Sequence, residues 1–273
     1  MQKNKFYILL LIFFIITSCE PDYPSLIKDV KKQIVVDGWI ENEKGPIVIL
    51  TYNTPYFSNL DSSSFMDLVA TRAKVVVSND SFSEILTLTK DTNYFPPYVY
   101  KGFQIKGMEG KKYYLTVDDE LGKFKATTTI PFKVTLDSIW FTFTGDSTGV
   151  IKGIISDNEK EKNYYRVFTK ISKKDKRYIP TAISAYDDKY FNGKRFTFYL
   201  PLKSYEFKRG DIIGVKLTQI DSVSYQFWYA YNDEIVNAGS PFAANYKYLK
   251  GNIIGGLGIW CGYAATYYYV KAE

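Results

Sequence analysis

The sequence predicts an all-β protein: an N-terminal immunoglobulin-like β-sandwich followed by a second β-sandwich-like domain that carries one helix at about 222–238. Tyr, Phe and Trp make up 18% of the 273 residues, and aromatic and β-branched residues suit a pleated, half-buried surface. Short apolar runs alternate with turn residues at the spacing of sandwiches and barrels. Strands do not alternate regularly with helices, so a parallel α/β scaffold is not expected.

The first predicted domain spans residues 32–131. Its β-type runs are punctuated by turn signals such as Gly45-Pro46 and Asn79-Asp80. A glycine at 110 followed by Tyr113 and alternating apolar residues resembles the tyrosine corner of immunoglobulin-like sandwiches, in which the tyrosine hydroxyl bonds nearby backbone. The predicted strands are Ile34–Val36, Ile47–Thr51, Lys74–Val77, Glu84–Leu88, Tyr113–Val117 and Ala126–Pro131.

The second predicted domain spans residues 132–273. Its predicted strands begin near Val134, Val150, Tyr164, Ala182, Phe196 and Ile212, with a closing strand near Tyr267–Tyr269. The helix is expected to be capped by Ser222 and ended by Gly239. Its apolar stripe is expected to be a core face, and a ligand-binding face is the alternative. The stripe consists of Tyr225, Trp228, Tyr229, Asn232, Ile235 and Val236.

The N-terminus has the three parts of an export signal at residues 1–18. Lys3 and Lys5 form the positive end, and an apolar run from Ile8 to Ile16 is too short to span a bilayer comfortably. Ile16-Thr17-Ser18-Cys19 resembles the bacterial lipobox, in which the cysteine is acylated after cleavage. We therefore expect Cys19 to be lipidated and residues 19–31 to form a tether, since lipid chains anchor a protein to a membrane.

The amino-acid composition excludes several kinds of catalytic and metal-binding site. The chain has no histidine, which excludes histidine-dependent triads and imidazole metal sites. After Cys19 only Cys261 remains, and it is expected to be a buried, inert thiol rather than a reactive one. The mature chain carries 33 basic and 29 acidic side chains without a clustered basic face, so nucleic acid is not an expected partner. The mixed run from Lys170 to Arg177 is expected to be a solvated hairpin tip.

Paired carboxylates are the remaining route to catalysis, because glycoside hydrolysis needs two acids a few ångströms apart. Asp118-Asp119-Glu120, Asp187-Asp188 and Asp157 with Glu159 are the candidates, but their positions beside turns favour solvated loops. We predict no catalytic residue, no metal site and no cofactor.

Several segments together resemble a lipoprotein family of the Bacteroidota, domain of unknown function 4249. The segments are Val35–Ile40, Ala126–Pro131, Leu136–Ile139, Asn163–Val167, Gly210-Asp211, Ser240–Phe242 and Gly251–Trp260. The family has no established activity, and its members are commonly encoded beside TonB-dependent outer-membrane receptors. The resemblance implies an accessory of such a receptor. With the lipobox, and with Glu20 and Asp22 resembling the acidic signal that sends Bacteroidota lipoproteins to the outer face, we expect a lipid-anchored outer-membrane lipoprotein that faces the cell surface.

The leading functional hypothesis is therefore a non-enzymatic partner of a TonB-dependent transporter that captures a small nutrient or glycan. A structural or adhesive lipoprotein without a transporter is the alternative, and a carboxylate-dependent glycan hydrolase ranks third. The candidate ligand or partner contacts are Trp228, Tyr229, Trp260 and Tyr263. The glycines at 251–258 are expected to form a tight bulge before the closing strand, with close approach of a ligand as the alternative.

Overall fold

The structure is a computed structural model, and it describes residues 31–54, 66–145, 148–202, 207–237 and 249–273. The signal peptide, Cys19, the tether up to residue 30 and Gly239 lie outside the described residues. The strands and the helix named below all lie in one compact unit that begins at Lys32.

The described residues form fifteen strands and a sixteen-residue helix, so the all-β class is confirmed. The first eight strands are β1 (Ile34–Glu41), β2 (Ile47–Tyr52), β3 (Lys74–Ser78), β4 (Ser83–Ile85), β5 (Thr87–Lys90), β6 (Tyr98–Lys101), β7 (Lys112–Asp119) and β8 (Gly122–Thr129). The remaining elements are β9 (Leu136–Phe143), β10 (Gly149–Ser156), β11 (Tyr164–Ile171), β12 (Ile179–Asp187), β13 (Arg195–Leu202), β14 (Ile212–Gln219), α1 (Ser222–Asn237) and β15 (Leu257–Lys271).

The first sandwich packs a four-stranded sheet, in the order β4-β3-β7-β8, against β1, β2 and β6. Alternate residues of each strand point into the shared core, as the period-two pattern requires. Val36 and Leu50 come from one sheet, and Val77 and Leu115 from the other. Each such side chain contributes about 1.5–3 kcal/mol when it is fully removed from water.

The run predicted as one strand at 84–88 is two strands in different sheets. Leu86 lies between β4 and β5, is buried in the first core, and donates its backbone N–H to Val75 O at 2.8 Å. The chain therefore crosses from one sheet to the other at Leu86. The pattern could not show this, because an apolar residue at a crossing looks like one inside a strand.

The second sandwich packs the sheet β13-β10-β9 against β11, β14 and the end of β15. Ile151 and Leu200 face Val167, Val215 and other apolar residues across its core. Both β11 and β14 begin at the predicted residues, Tyr164 and Ile212.

One sheet of eight strands runs through both sandwiches, in the order β12-β11-β14-β15-β1-β2-β6-β5. Residues 257–263 of β15 pair parallel with β1, and residues 264–271 pair antiparallel with β14. A single strand thus joins segments taken from both sides of the predicted boundary after residue 131. The division into domains at that residue stays a prediction.

Two local predictions of the sequence are confirmed. The Tyr113 hydroxyl donates to Lys106 O at 3.1 Å and accepts from Met108 N at 2.8 Å, as a tyrosine corner does. Cys261 is fully buried, and burial raises the pKa of its thiol to about 11. The glycines before and at the start of β15 are closely packed, because a Cβ on Gly251 would lie 1.6 Å from Gly258 O, and the bulge expected at 251–258 stays a prediction.

The helix α1 begins as predicted at residue 222, but its cap and its buried face differ from the prediction. Asp221, not Ser222, caps it, since Asp221 Oδ1 accepts from Ser224 N at 2.7 Å. The buried face consists of Ser224, Phe227, Trp228 and Asn232. In contrast, Tyr229, Ile235 and Val236 of the predicted stripe are exposed. The helix is rotated toward positions 224 and 227 because these residues meet the outer face of the eight-stranded sheet.

Candidate functional site

A cavity of about 1020 Å³ lies on the face of the eight-stranded sheet that points away from the two sandwich cores. The sheet forms its floor, α1 forms one wall, and the hairpin between β11 and β12 forms another. Its volume is at the upper end of the range for small-molecule sites.

Strand alternation places the lining side chains. On β1, Ile34 and Val36 face the first core, whereas Asp37, Trp39 and Glu41 lie along the cavity. The same rule applies to the neighbouring strands, because successive side chains of a strand point to opposite faces. The other strand residues on the cavity side include Arg166 and Phe168 of β11, Lys216 of β14, and Ile259, Tyr263 and Tyr267 of β15.

The lining combines aromatic rings with positive charge. Among the residues that the structure describes, ten aromatic side chains and six cationic ones line the cavity, against two acids, Asp37 and Glu41. The cations are Lys44, Arg166, Lys170, Lys176, Arg177 and Lys216. How these charges are paired inside the protein decides what charge remains for a ligand.

Glu41 is neutralised by the protein itself. Its Oε1 lies 2.7 Å from Lys44 Nζ and accepts from the Tyr267 hydroxyl, and its Oε2 lies 3.2 Å from Lys216 Nζ. Burial opposes the charged form, but Lys216, Lys44 and the Tyr267 hydrogen bond outweigh it, so the pKa of Glu41 is lowered. Glu41, Lys44 and Lys216 therefore form a closed network.

Asp37 has a different environment although it lies four residues away on the same face. Among the described residues, no cation lies within ion-pair distance and no donor within hydrogen-bond distance of its carboxylate, which is open to the cavity space. The surrounding protein partly desolvates the carboxylate and raises its pKa, an effect that Arg166 and Arg177 reduce in part, although the side chain remains exposed to solvent. Asp37 is thus an ionisable group that the cavity walls do not satisfy.

Arg166 is the cation held most firmly at the cavity. It is 5% exposed, its guanidinium carbon lies 3.3 Å from the centroid of a ring of Trp228, and Nη1 donates to the Tyr263 hydroxyl at 2.5 Å. Nε approaches Ser184 Oγ at 3.5 Å. A guanidinium has five N–H donors, so donors remain for the cavity, and no carboxylate within the described ranges lies at ion-pair distance.

The hairpin between β11 and β12 adds charge that sequence reasoning missed. Lys170, Lys176 and Arg177 line the cavity, and Arg177 lies 5.3 Å from the centroid of the Tyr94 ring. The sequence predicts a solvated hairpin tip from Lys170 to Arg177, because a run of mixed charges is typical of a solvated tip. Its tip is solvent-exposed, but the strand pairing folds its cationic side over the cavity.

The four predicted contact residues fall in three different environments. Trp228 and Tyr263 line the cavity and both contact Arg166. Tyr229 is exposed on α1 outside the cavity lining. Trp260 points to the other face of β15, is fully buried in the first core and donates to Tyr113 O, which is a structural position.

One acid of each candidate hydrolytic group accepts hydrogen bonds from neighbouring protein groups. Asp188 is 1% exposed and accepts from Asn163 N at 2.5 Å, while Asp157 accepts from Tyr165 and Gly193. Asp119 accepts from the Tyr52 hydroxyl. The described residues contain no cluster of three or more acids or cysteines that could hold a metal ion. They also contain no helix with the length and hydrophobicity needed to cross a membrane.

The fold and the site define an all-β protein with an aromatic, cationic cavity on the outer face of its largest sheet. Residues 17–268 match the family model described as Domain of unknown function (DUF4249), and the chain belongs to that family. No curated protein matches the chain. Among solved structures, the chain is similar to the selenomethionine-substituted chicken interferon gamma receptor alpha chain, at 8% identity and a TM-score of 0.21, over 70% of this chain and 90% of that one.

Proposed function

We propose that this protein is a lipid-anchored outer-membrane lipoprotein that captures a small ligand for a TonB-dependent transporter without catalysing a reaction. The observation that carries the proposal is the cavity of about 1020 Å³, with its excess of unpaired cations. A protein that only spaced or supported other components would gain nothing from a cavity that holds the Arg166 guanidinium away from bulk water, since burying a charge costs stability.

The location and the partner rest on the sequence. The segment ending at Cys19 resembles a lipobox, and membership of the family supports an association with a TonB-dependent receptor at the cell surface. A binding protein fixed beside its transporter by lipid raises the local ligand concentration at the transporter entrance. A lipid anchor and a ligand cavity together are what such a role requires.

The test is a mild-detergent pull-down of the tagged, lipidated protein from its native outer membrane, followed by mass spectrometry. We expect one TonB-dependent receptor at near-equal amounts. The matched control is Cys19→Ala, which removes the acylated sulfur. We expect this variant to be absent from the membrane fraction. Recovery of the wild-type lipoprotein without any receptor would overturn the proposal and favour adhesion or envelope structure.

The side of the membrane is tested separately by digesting intact cells with a protease. We expect the wild-type chain to be cleaved in intact cells, because the proposed role places the cavity where ligand arrives. Protection in intact cells together with cleavage after lysis would contradict the proposed surface location.

A further inference from the structure

The charges of the cavity that the protein leaves unpaired indicate the chemistry of the ligand. Glu41 is paired with both Lys44 and Lys216, so these two lysines already have a counter-charge and the three residues together carry only one positive charge. Arg166, Lys170, Lys176 and Arg177 remain, and among the described lining residues Asp37 is the one acid that opposes them. Within the described part of the chain, none of these four cations lies within 4.0 Å of a carboxylate.

Arg166 has the features of a preorganised anion-binding residue. The guanidinium carbon lies 3.3 Å from a ring centroid of Trp228, and the Tyr263 hydroxyl accepts a hydrogen bond from one guanidinium nitrogen. Because the side chain is already ordered and nearly removed from bulk water, binding an oxyanion costs little further entropy. Guanidinium groups bind carboxylate, sulfonate and phosphate with paired, charge-assisted hydrogen bonds.

The aromatic lining defines the rest of the ligand. Trp39 and Tyr94, with ring centroids 6.0 Å apart, lie along the cavity, and Phe227 and Phe168 also line it. Such surfaces take up flat, apolar groups. A neutral sugar would use the rings but would leave the cationic excess unmatched, whereas an inorganic anion would leave the rings and most of the volume empty.

We infer that the cavity binds a small organic acid with an aromatic body, whose oxyanion is received by Arg166 and attracted by Arg177. This inference rests on the proposed ligand-capture function and adds the ligand class to it. It is independent of the transporter, because a purified protein can be tested for it.

The experiment uses a matched pair of fluorescent probes. Anilinonaphthalene sulfonate (ANS) carries a sulfonate, and phenylnaphthylamine (NPN) has the same aromatic framework without it. The protein is produced from residue 20 onward to avoid detergent, and this chain retains every described strand and α1. Near-UV circular dichroism verifies that each variant is folded.

We expect saturable ANS binding at one site per chain, with an affinity at least about tenfold above that of NPN, as one charge-assisted contact provides. Arg166→Met should weaken ANS binding about tenfold or more and leave NPN binding unchanged. Arg177→Met should weaken ANS binding less, because the exposed Arg177 is screened by water and salt. Arg195→Met, a cation on the distant strand β13, is the matched control and should change neither probe.

Arg177→Met keeps the test decisive if loss of the buried Arg166 prevents folding. Equal binding of ANS and NPN, no saturable ANS binding, or unchanged ANS affinity in Arg177→Met and in a folded Arg166→Met would overturn the acid assignment. None of these results would affect the receptor pull-down, so failure of the ligand class and failure of the proposed function are distinguishable.

Discussion

Glu41 and Asp37 should respond in opposite directions to the same chemical change. Both acids lie on β1 and line the cavity, but only Glu41 has cationic partners. Glu41→Gln leaves Lys216 buried, with 9% of its side chain exposed, and without a counter-charge. Removing one partner of a buried ion pair costs about 3–5 kcal/mol. The lower end, about 3 kcal/mol, applies here, because the glutamine oxygen can still accept a hydrogen bond.

Asp37→Asn removes a desolvated charge that has no partner. We expect unchanged or higher stability at neutral pH, with a gain of no more than about 1 kcal/mol, because water in the cavity screens the carboxylate. The assay is urea unfolding at pH 7 followed by fluorescence. With a slope of about 3 kcal/mol per molar, Glu41→Gln should lower the midpoint by about 1 M, and Asp37→Asn should leave it unchanged or raise it.

The pH dependence separates the two acids further. The pKa of Glu41 is lowered in the folded protein, so its contribution is present above the unfolded value of 4.5 and is lost as pH falls through the folded pKa. The destabilisation by Glu41→Gln should therefore shrink in acid. The pKa of Asp37 is raised above 3.8, so its ionisation costs stability only as pH rises past that value. The reasoning is refuted if both variants shift the midpoint in the same direction at pH 7.

Three further predictions concern the scaffold. Tyr113→Phe removes the hydroxyl that links Lys106 and Met108, and should lower the unfolding free energy by about 1–3 kcal/mol in urea titrations. Unchanged stability would show that the corner is not energetically coupled to the core. Asp221→Ala removes the cap of α1 and should lower the unfolding free energy by about 1 kcal/mol. Asp221→Asn keeps an accepting oxygen and should lower it by less. Equal losses in the two variants would contradict the capping role. The Cys261 thiol should not react with a disulfide reagent at pH 8 until the protein is unfolded. Burial shields the thiol from the reagent and raises its pKa to about 11. Rapid reaction of the folded protein would contradict that burial.

Most of the strands, and which of their residues share a face, could be predicted from the sequence because side-chain alternation is a local property. Tyr113 and the start of the helix have local signals of the same kind. The partners of each strand could not be predicted this way. The parallel pairing of β1 with β15 joins Asp37 to Ile259 across more than 200 residues, and no periodicity encodes which strands meet.

The cavity could not be predicted from the sequence for the same reason. Asp37 sits at an alternating position of an apolar strand, where a polar residue is normally on a solvent-facing side. Arg166 likewise lies between apolar residues of β11. Both belong to segments whose resemblance to the family was recognised, but their common site appears only when β11, β14, β15 and β1 are adjacent. Trp260 was misplaced among the contact candidates because alternation does not say which face of a strand is the core.

The central claim, that the cavity captures a small aromatic acid, is tested most directly by what the protein carries from its own cell. The lipidated protein and its Arg166→Met variant would be purified from native outer membrane, unfolded, and the released small molecules compared by mass spectrometry. We expect one acidic, ring-containing compound at near-equal amounts with the wild-type protein and its depletion in the variant. Neutral or cationic compounds, or the same acid at equal amounts in both proteins, would contradict the account.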